Sequence, residues 1–238
     1  MDFANRCVGG GVLGNGCVQE EIRFIVCPEL IVARLFTEHL DNNECLIITG
    51  CEQYSYYNGY GDTFRWSGDF IDETIRDDWR RRQIQLVAID AINFYHNSMK
   101  QFSVDLRLRE LNKAYCGFFT KSPAPSGHFS AVATGNWGCG AFKGDIHLKA
   151  ILQLMAAARA RRDVVYTTFG NRPFAEELEK IHTSLIQANT TIAQVWTLLS
   201  QYCASVQEQK VTLFQFLHSS LSCSTDNSTN SQTLEYSI

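Results

Sequence analysis

The sequence predicts an α/β fold, a sheet layered with helices, and three observations lead there. Short, near-continuously apolar runs of strand length alternate with stretches of helical periodicity. Two glycine-rich segments stand where such runs open into the helices that follow, the place where ligands bind in open α/β sheets. And 238 residues with 45% hydrophobic content suffice for one domain with a sizeable core. Composition then works by exclusion. A net charge of -4 argues against a general nucleic-acid or anionic-membrane binder, which needs a basic excess. No apolar run reaches the roughly 18 residues that cross a bilayer, and Met1 to Arg6 lack the apolar stretch of a signal peptide.

Residues 1–18 read as an extended fragment followed by a glycine-rich loop, with no convincing strand before the glycines. Gln19 to Val26 reads as a helix, with acids in the first turn where the dipole favours them. Pro28 breaks that helix or opens the next as its first residue, with Leu30, Ile31, Leu35 and Phe36 as an apolar face. Cys45 to Thr49, ending at Gly50, is expected to be a strand buried on both faces. The aromatic, glycine-punctuated stretch Tyr54 to Trp66 predicts a loop or strand pair, and Asp77 to Arg82 a charged turn before a strand over Ile84–Asp90.

Phe102 to Phe118 has helical spacing, and Ser130 to Thr134 is a third strand running into Gly135-Asn136-Trp137-Gly138-Cys139-Gly140-Ala141-Phe142. Asp145 to Arg162 is an alanine-rich helix with Leu148, Ile151, Leu152 and Met155 on one face. Asp163 to Gly170 is a fourth strand, and two or three helices fill Phe174 to Leu221. Past Ser219 the chain is dominated by Ser, Thr and Asn, which divides it into a core over 1–222 and a disordered tail over 223–238. The nine cysteines are odd in number and scattered, with no CxxC pair, which speaks against a closed zinc site and a disulfide framework. They read as reduced thiols of an intracellular protein, most of them buried filler.

Several groups of residues suit chemistry. The first is Gly9-Gly10-Gly11-Val12-Leu13-Gly14-Asn15-Gly16. Glycine lets backbone N–H groups converge on an anion, and a following helix N-terminus suits phosphate; the bland reading is a surface loop. Gln19-Glu20-Glu21 comes next, where two adjacent helical acids point about 100° apart and so divide their tasks, one at a scissile bond and one at a hydroxyl. A carboxyl beside bound phosphate has its pKa raised, as a general acid requires. The loop Gly135–Phe142 is either a second anion-facing loop opposite the first or a plain strand-to-helix turn. The aromatics around Tyr57 and Tyr60, the latter flanked by Gly59 and Gly61, either pack a core or stack on a flat ligand. Cys139 with His147 is the weakest pair, requiring the histidine within reach of the sulfur.

Gly9-Gly10-Gly11 followed by Gln19-Glu20-Glu21 resembles the spaced GGG and QEE signature of the poly(ADP-ribose) glycohydrolases, of animal type. Asp2-Phe3-Ala4-Asn5, Thr49 to Tyr54, Tyr57, Tyr60, Gly135 to Phe142 and Val164 to Gly170 look like segments of that family in the same order, so the resemblance covers about residues 1–222. It implies a macrodomain-like mixed sheet flanked by helices. It also implies exo-acting hydrolysis of ribose–ribose O-glycosidic bonds in poly(ADP-ribose), releasing ADP-ribose, with no cofactor and no metal. Carried over by position, Glu21 matches the general acid that then activates water on an oxocarbenium-like centre. Glu20 and Asn5 match residues that hold the terminal ribose, and Asp2 lies in the same ligand-facing segment. Gly9, Gly10 and Gly11 match the lining of ribose and diphosphate, with Gln19 beside them. Asn136, Gly140 and Phe142 belong to the opposite diphosphate loop, Tyr57 and Tyr60 to the nucleotide side, and Phe169 to its edge.

In that family a helical accessory domain and the first macrodomain strands precede the segment that holds Asp2. This sequence opens directly before it, so those parts are expected to be missing and a sheet edge to be left unpaired. The implied partners are poly(ADP-ribose), ADP-ribose and poly(ADP-ribosyl)ated proteins, with no direct DNA or membrane binding and a monomeric state. The implied setting is the DNA damage response, in nucleus, cytoplasm or both. Two other functions compete: a catalytically inactive, truncated ADP-ribose-binding module, and an unrelated phosphate-binding α/β enzyme in which the paired glutamates and both glycine loops coincide by chance.

Overall fold

The computed structural model describes residues 1–121, 129–206 and 211–224. The chain divides into two compact units, Met1–Ala91 and the part from Ile92 onward. The first unit holds strands β1 (Asp2–Ala4), β2 (Leu46–Thr49), β3 (Ser55–Asn58), β4 (Arg65–Asp69) and β5 (Gln85–Asp90). Helix α1 (Gln19–Val26) and a 3-10 helix over Pro28–Leu35 lie between β1 and β2. β5 is the middle strand of a three-stranded sheet, with β1 parallel on one side (Asp2 opposite Ala88) and β2 antiparallel on the other (Leu46 opposite Ala88). Paired on both sides, β5 buries Leu86 to Asp90 in succession. β3 and β4 form a separate antiparallel pair.

Three expectations change here. The glycine loop does follow a strand: β1 is three residues long, too short to show a period in sequence, and becomes a strand through its pairing with β5. β2 is not buried on both faces. It alternates, with Ile47 about half exposed, because β5 is its one partner among the described residues. Pro28 does open a helix at its first turn, yet of the expected apolar face only Leu30 is buried, while Leu35 and Phe36 are exposed. A tight 3-10 turn has three residues per turn and rotates those positions off the face that α-helical spacing predicts.

The second unit holds α2 (Val104–Phe118), β6 (Val132–Gly135), α3 (Ile146–Ala160), β7 (Val164–Thr167), α4 (Arg172–Gln187), α5 (Ile192–Ala204) and α6 (Leu213–Ser224). β6 and β7 pair in parallel, with α3 as the crossover between them. Asp145 caps α3 by accepting from the N–H of Leu148 at 2.8 Å, and Arg161 ends the helix in the left-handed region at φ 56. The expected face of α3, Leu148, Ile151, Leu152 and Met155, is buried in one cluster with Phe174, Leu178, Leu199 and Leu217 from the three helices that follow. Helix α6 runs through the Ser-rich stretch as far as Ser224, and the remainder of the expected tail, 225–238, lies outside the described residues. Among the described residues no helix is long and apolar enough to cross a membrane.

Candidate active site

The carboxyl end of β1 leads directly into the first glycine loop, and α1 returns the chain beside it. Glu20 and Glu21 occupy the first turn of α1 and are both buried. The Glu20 carboxylate accepts from the N–H of Asn5 at 2.8 Å and from the N–H of Gly9. The Glu21 carboxylate accepts from the N–H of Gly11 at 2.9 Å and from the N–H of Val18 at 3.0 Å, the second of these closing its own helix start. Four further loop amides turn onto backbone carbonyls: Gly10 donates to Cys7, Val12 to Gly9, and Gly14 and Gly16 to Gly11. Of the N–H groups expected to cradle a phosphate, those of Gly9 and Gly11 therefore meet carboxyls of the protein's own, Glu20 and Glu21. Gly10, at φ +46, must be glycine for this. A Cβ there would stand 2.7 Å from a Glu20 oxygen and nearer still to Glu21.

Asp2 completes the group. Its side chain is fully buried in β1, and neither carboxylate oxygen has a hydrogen-bond partner among the described residues. Burial pushes the Asp2 carboxyl up to about 7, with the Glu21 charge adding and the amino terminus and Arg23 opposing. Burial likewise pushes Glu20 up to about 8, with Asp2 and Glu21 adding to it and the Asn5 and Gly9 amides opposing. Neighbouring carboxyls that cannot all ionise titrate as a unit, so Asp2 and Glu20 hold a proton between them near neutral pH. Carboxyls held in this way have the chemistry to accept from hydroxyls and to exchange protons. Among the described residues no three of His, Cys, Asp and Glu are placed to hold a cation.

The flanking residues are fixed by backbone contacts. The Gln19 side chain accepts from the N–H of Phe3 at 2.9 Å and donates to the Met1 carbonyl at 3.1 Å, tying α1 to β1. The Tyr60 hydroxyl accepts from the N–H of Gln19 at 3.1 Å, although the ring itself is exposed. Tyr57 is exposed and stacks on Phe64 with ring centres 5.6 Å apart, so both tyrosines present aromatic surface at the α1 end of the β3–β4 pair. Sequence reasoning missed Arg34. From the 3-10 helix it donates to the carbonyls of Gly10 at 2.7 Å and Gly9 at 3.3 Å, on the side of the loop away from the carboxylates. A lone arginine twenty-odd positions beyond the glycines carries no local signal. The cysteines also differ from expectation: of those described, Cys27, Cys51 and Cys203 are buried, Cys7 is exposed and the rest lie between. The neighbouring Cys27 thiol and the Arg23 charge pull the Cys51 thiol down, against the effect of burial.

The second unit carries its predicted residues on one loop and one turn. Asn136 accepts from the Tyr166 hydroxyl at 3.2 Å. Trp137 is fully buried under the Lys149 ammonium, 3.9 Å from its ring, and Lys149 pairs with Glu110. Gln153 donates to the Gly135 carbonyl at 3.0 Å. The loop is thus held from beneath. On its outer side Gly140 has open space around it, and the N–H groups of Gly138, Gly140, Ala141 and Phe142 have no partner among the described residues. Phe142 is half-buried, and its carbonyl accepts from Phe94 at 2.8 Å. Phe169, in the left-handed region at φ 53, lays an exposed ring beside Gly135. Cys139 and His147 are not a pair: the thiol, pushed up by burial, donates to the Trp137 carbonyl, while His147 meets Glu177 at 3.2 Å and packs edge-on to Phe174 and Phe214. A groove of about 750 Å³ lined by residues of α4 and α6, including Ile181 and Phe214, contains none of the predicted residues.

A family model described as poly(ADP-ribose) glycohydrolase, macro domain fold, matches residues 1–176. The chain belongs to the poly(ADP-ribose) glycohydrolase family. Its mixed α/β architecture, small sheets flanked by helices, agrees with the macro domain fold of that family. Curated relatives include poly(ADP-ribose) glycohydrolase 1 of Arabidopsis thaliana, 33% identical over 93% of this chain and 52% of its own length. Poly(ADP-ribose) glycohydrolases 1 and 2 of Caenorhabditis elegans are 35% and 34% identical over 95% and 84% of this chain. The chain spans 30% and 43% of those two relatives' lengths. Both glycine loops and the Glu20–Glu21 pair lie within the matched family region.

Proposed function

We propose that this chain hydrolyses the ribose–ribose O-glycosidic bond of poly(ADP-ribose), acting from the chain end and releasing ADP-ribose, on polymer attached to modified proteins. The observation that carries the reading is the immobilisation of Glu20 and Glu21 on the amides of the glycine loop, with the orphaned Asp2 carboxyl buried in the same group. Glu21 protonates the departing ribose oxygen as the glycosidic bond breaks. The resulting carboxylate then takes a proton from the water that attacks the oxocarbenium-like carbon, so one group serves as acid and then as base. Glu20, with Asn5, grips the terminal ribose hydroxyls.

A second reading exchanges the two glutamates, since Glu20 is a carboxyl held up near neutral pH, the property that an acid catalyst needs. Release of ADP-ribose from labelled polymer decides both. Glu21→Gln should lower the rate by roughly 10²–10⁴-fold, the usual contribution of a general acid, while ADP-ribose still binds by calorimetry. A larger loss in Glu20→Gln than in Glu21→Gln transfers the acid role to Glu20. Saturable ADP-ribose binding by the wild-type chain with no turnover identifies a binding module instead.

A further inference from the structure

Arg34 and Glu21 sit at opposite ends of a single peptide unit. The carbonyl of Gly10 and the N–H of Gly11 belong to the same planar trans amide and therefore point in opposite directions. Arg34 donates to that carbonyl at 2.7 Å, and the N–H of Gly11 donates to the Glu21 carboxylate at 2.9 Å. Rotating the amide about the chain axis would break both bonds at once. Gly10, at φ +46, and Gly9, at φ +89, leave the backbone on the N-terminal side of this amide soft, so the orientation needs an external hold. The stem of Arg34 supplies a second constraint, since its Cδ would lie 2.9 Å from a Cβ placed on Gly9. Glu20 has no such relay. Its loop donor, the N–H of Gly9, belongs to the peptide that begins at Val8, whose carbonyl Arg34 does not touch.

We infer that Arg34 is a positioning residue for the reaction: acting through the Gly10–Gly11 peptide, it aims and polarises the amide that holds the Glu21 carboxylate, and it serves Glu21 rather than Glu20. A cation on the carbonyl draws electron density toward the oxygen and makes the N–H of the same amide a stronger donor, the cooperative strengthening expected of hydrogen-bond chains. Both bonds leave one nitrogen, Nη1, whose two N–H groups are fixed in the plane of the guanidinium, whereas the donors of a lysine ammonium rotate freely. The role in turnover rests on the proposed hydrolysis with Glu21 as acid and base; the role in orienting the amide does not.

The test uses the full 238-residue chain with Arg34→Met, which keeps an unbranched stem over Gly9 and removes the charge, and Arg34→Lys, which restores the charge without the planar guanidinium. Two readouts are taken: steady-state release of ADP-ribose from labelled polymer, and the backbone amide proton shifts of Gly9 and Gly11. The inference expects kcat to fall about tenfold or more in Arg34→Met with KM within about twofold, and partial recovery in Arg34→Lys. It expects the Gly11 amide proton to move upfield as its bond to Glu21 weakens, while that of Gly9 stays. Unchanged kcat in Arg34→Met, or equal movement of both amides, overturns it, as does a rise in KM alone. If the wild-type chain does not turn over polymer, the functional reading fails, and the Gly11 amide still decides the orientation. Should Arg34→Met not fold, Arg34→Lys with an undisturbed spectrum and wild-type kcat likewise overturns the inference.

Discussion

The glycine loop between β1 and α1 directs the amides of Gly9 and Gly11 onto the protein's own carboxyls, whereas the loop between β6 and α3 leaves the amides of Gly140, Ala141 and Phe142 without a partner among the described residues, over a buried support. In the first, glycine is required because charged oxygens are packed against the backbone: Gly10 has them on both sides, and a Cβ on Gly16 would meet Glu21 at 2.8 Å. In the second, Gly140 meets nothing within 4 Å, and the shape of the loop comes from below, from Trp137, Lys149 and Gln153. Two segments of similar composition thus do different work. One immobilises two buried glutamates on its backbone, and the other leaves donors and space open on its outer side.

Alanine at the two glycines breaks or upholds that contrast. Gly10→Ala forces a Cβ into the carboxylates at positive φ and should cost about 2–4 kcal/mol of stability, from overpacking and backbone strain together. Gly140→Ala should leave thermal unfolding within about 0.5 kcal/mol of the parent and weaken ADP-ribose binding instead. Denaturation and calorimetry on the two variants measure this directly, and a destabilised Gly140→Ala variant would remove the distinction.

A smaller effect tests the electrostatics of the first loop. In the fold Asp2 and Glu20 are held up to about 7 and about 8, against roughly 4 in an unfolded chain. Between those limits the folded state binds more protons than the unfolded one. The stability they contribute is therefore complete below about pH 4 and is lost as the pH rises through 7 and 8. Thermal unfolding followed from pH 5 to 8.5 should show stability falling as the pH rises, with the loss complete only above about 8, and Glu20→Gln should flatten most of it. A slope that survives in the variant would place its source elsewhere. The smallest effect belongs to Tyr60→Phe, which removes the acceptor for the Gln19 amide at an exposed position. It should cost about 0.5–1 kcal/mol and leave the rate of polymer hydrolysis within a few-fold of wild type; a loss comparable to that of Glu21→Gln would assign the hydroxyl a part in the chemistry.

Much of this was legible from residue types alone. The bounds of α1 follow from acids followed by alternating apolar residues, and those of α3 from an Asp cap before an alanine-rich amphipathic run, because helix signals are local and repeat over several turns. The spacing of Gly9-Gly10-Gly11 and Gln19-Glu20-Glu21 singled out, for the same reason, two segments that the structure brings into hydrogen-bond contact. β1 was not legible, since three residues hold no period and the strand exists through hydrogen bonds to β5, more than eighty positions away. Nor was the half-exposed state of β2, because apolar content reports what a strand can bury and pairing reports what covers it.

By itself, then, the sequence determined which side chains are available for chemistry and which glycines permit close approach, both being properties of residue type and short spacing. Tertiary structure alone decided what those glycines approach. Whether a loop amide meets a phosphate or a glutamate depends on where α1 returns the chain and on which peptide planes Arg34 holds from behind. The raised carboxyls of Asp2 and Glu20 have the same origin, since desolvation and like-charge contact arise only when segments distant along the chain are brought together and water is excluded between them.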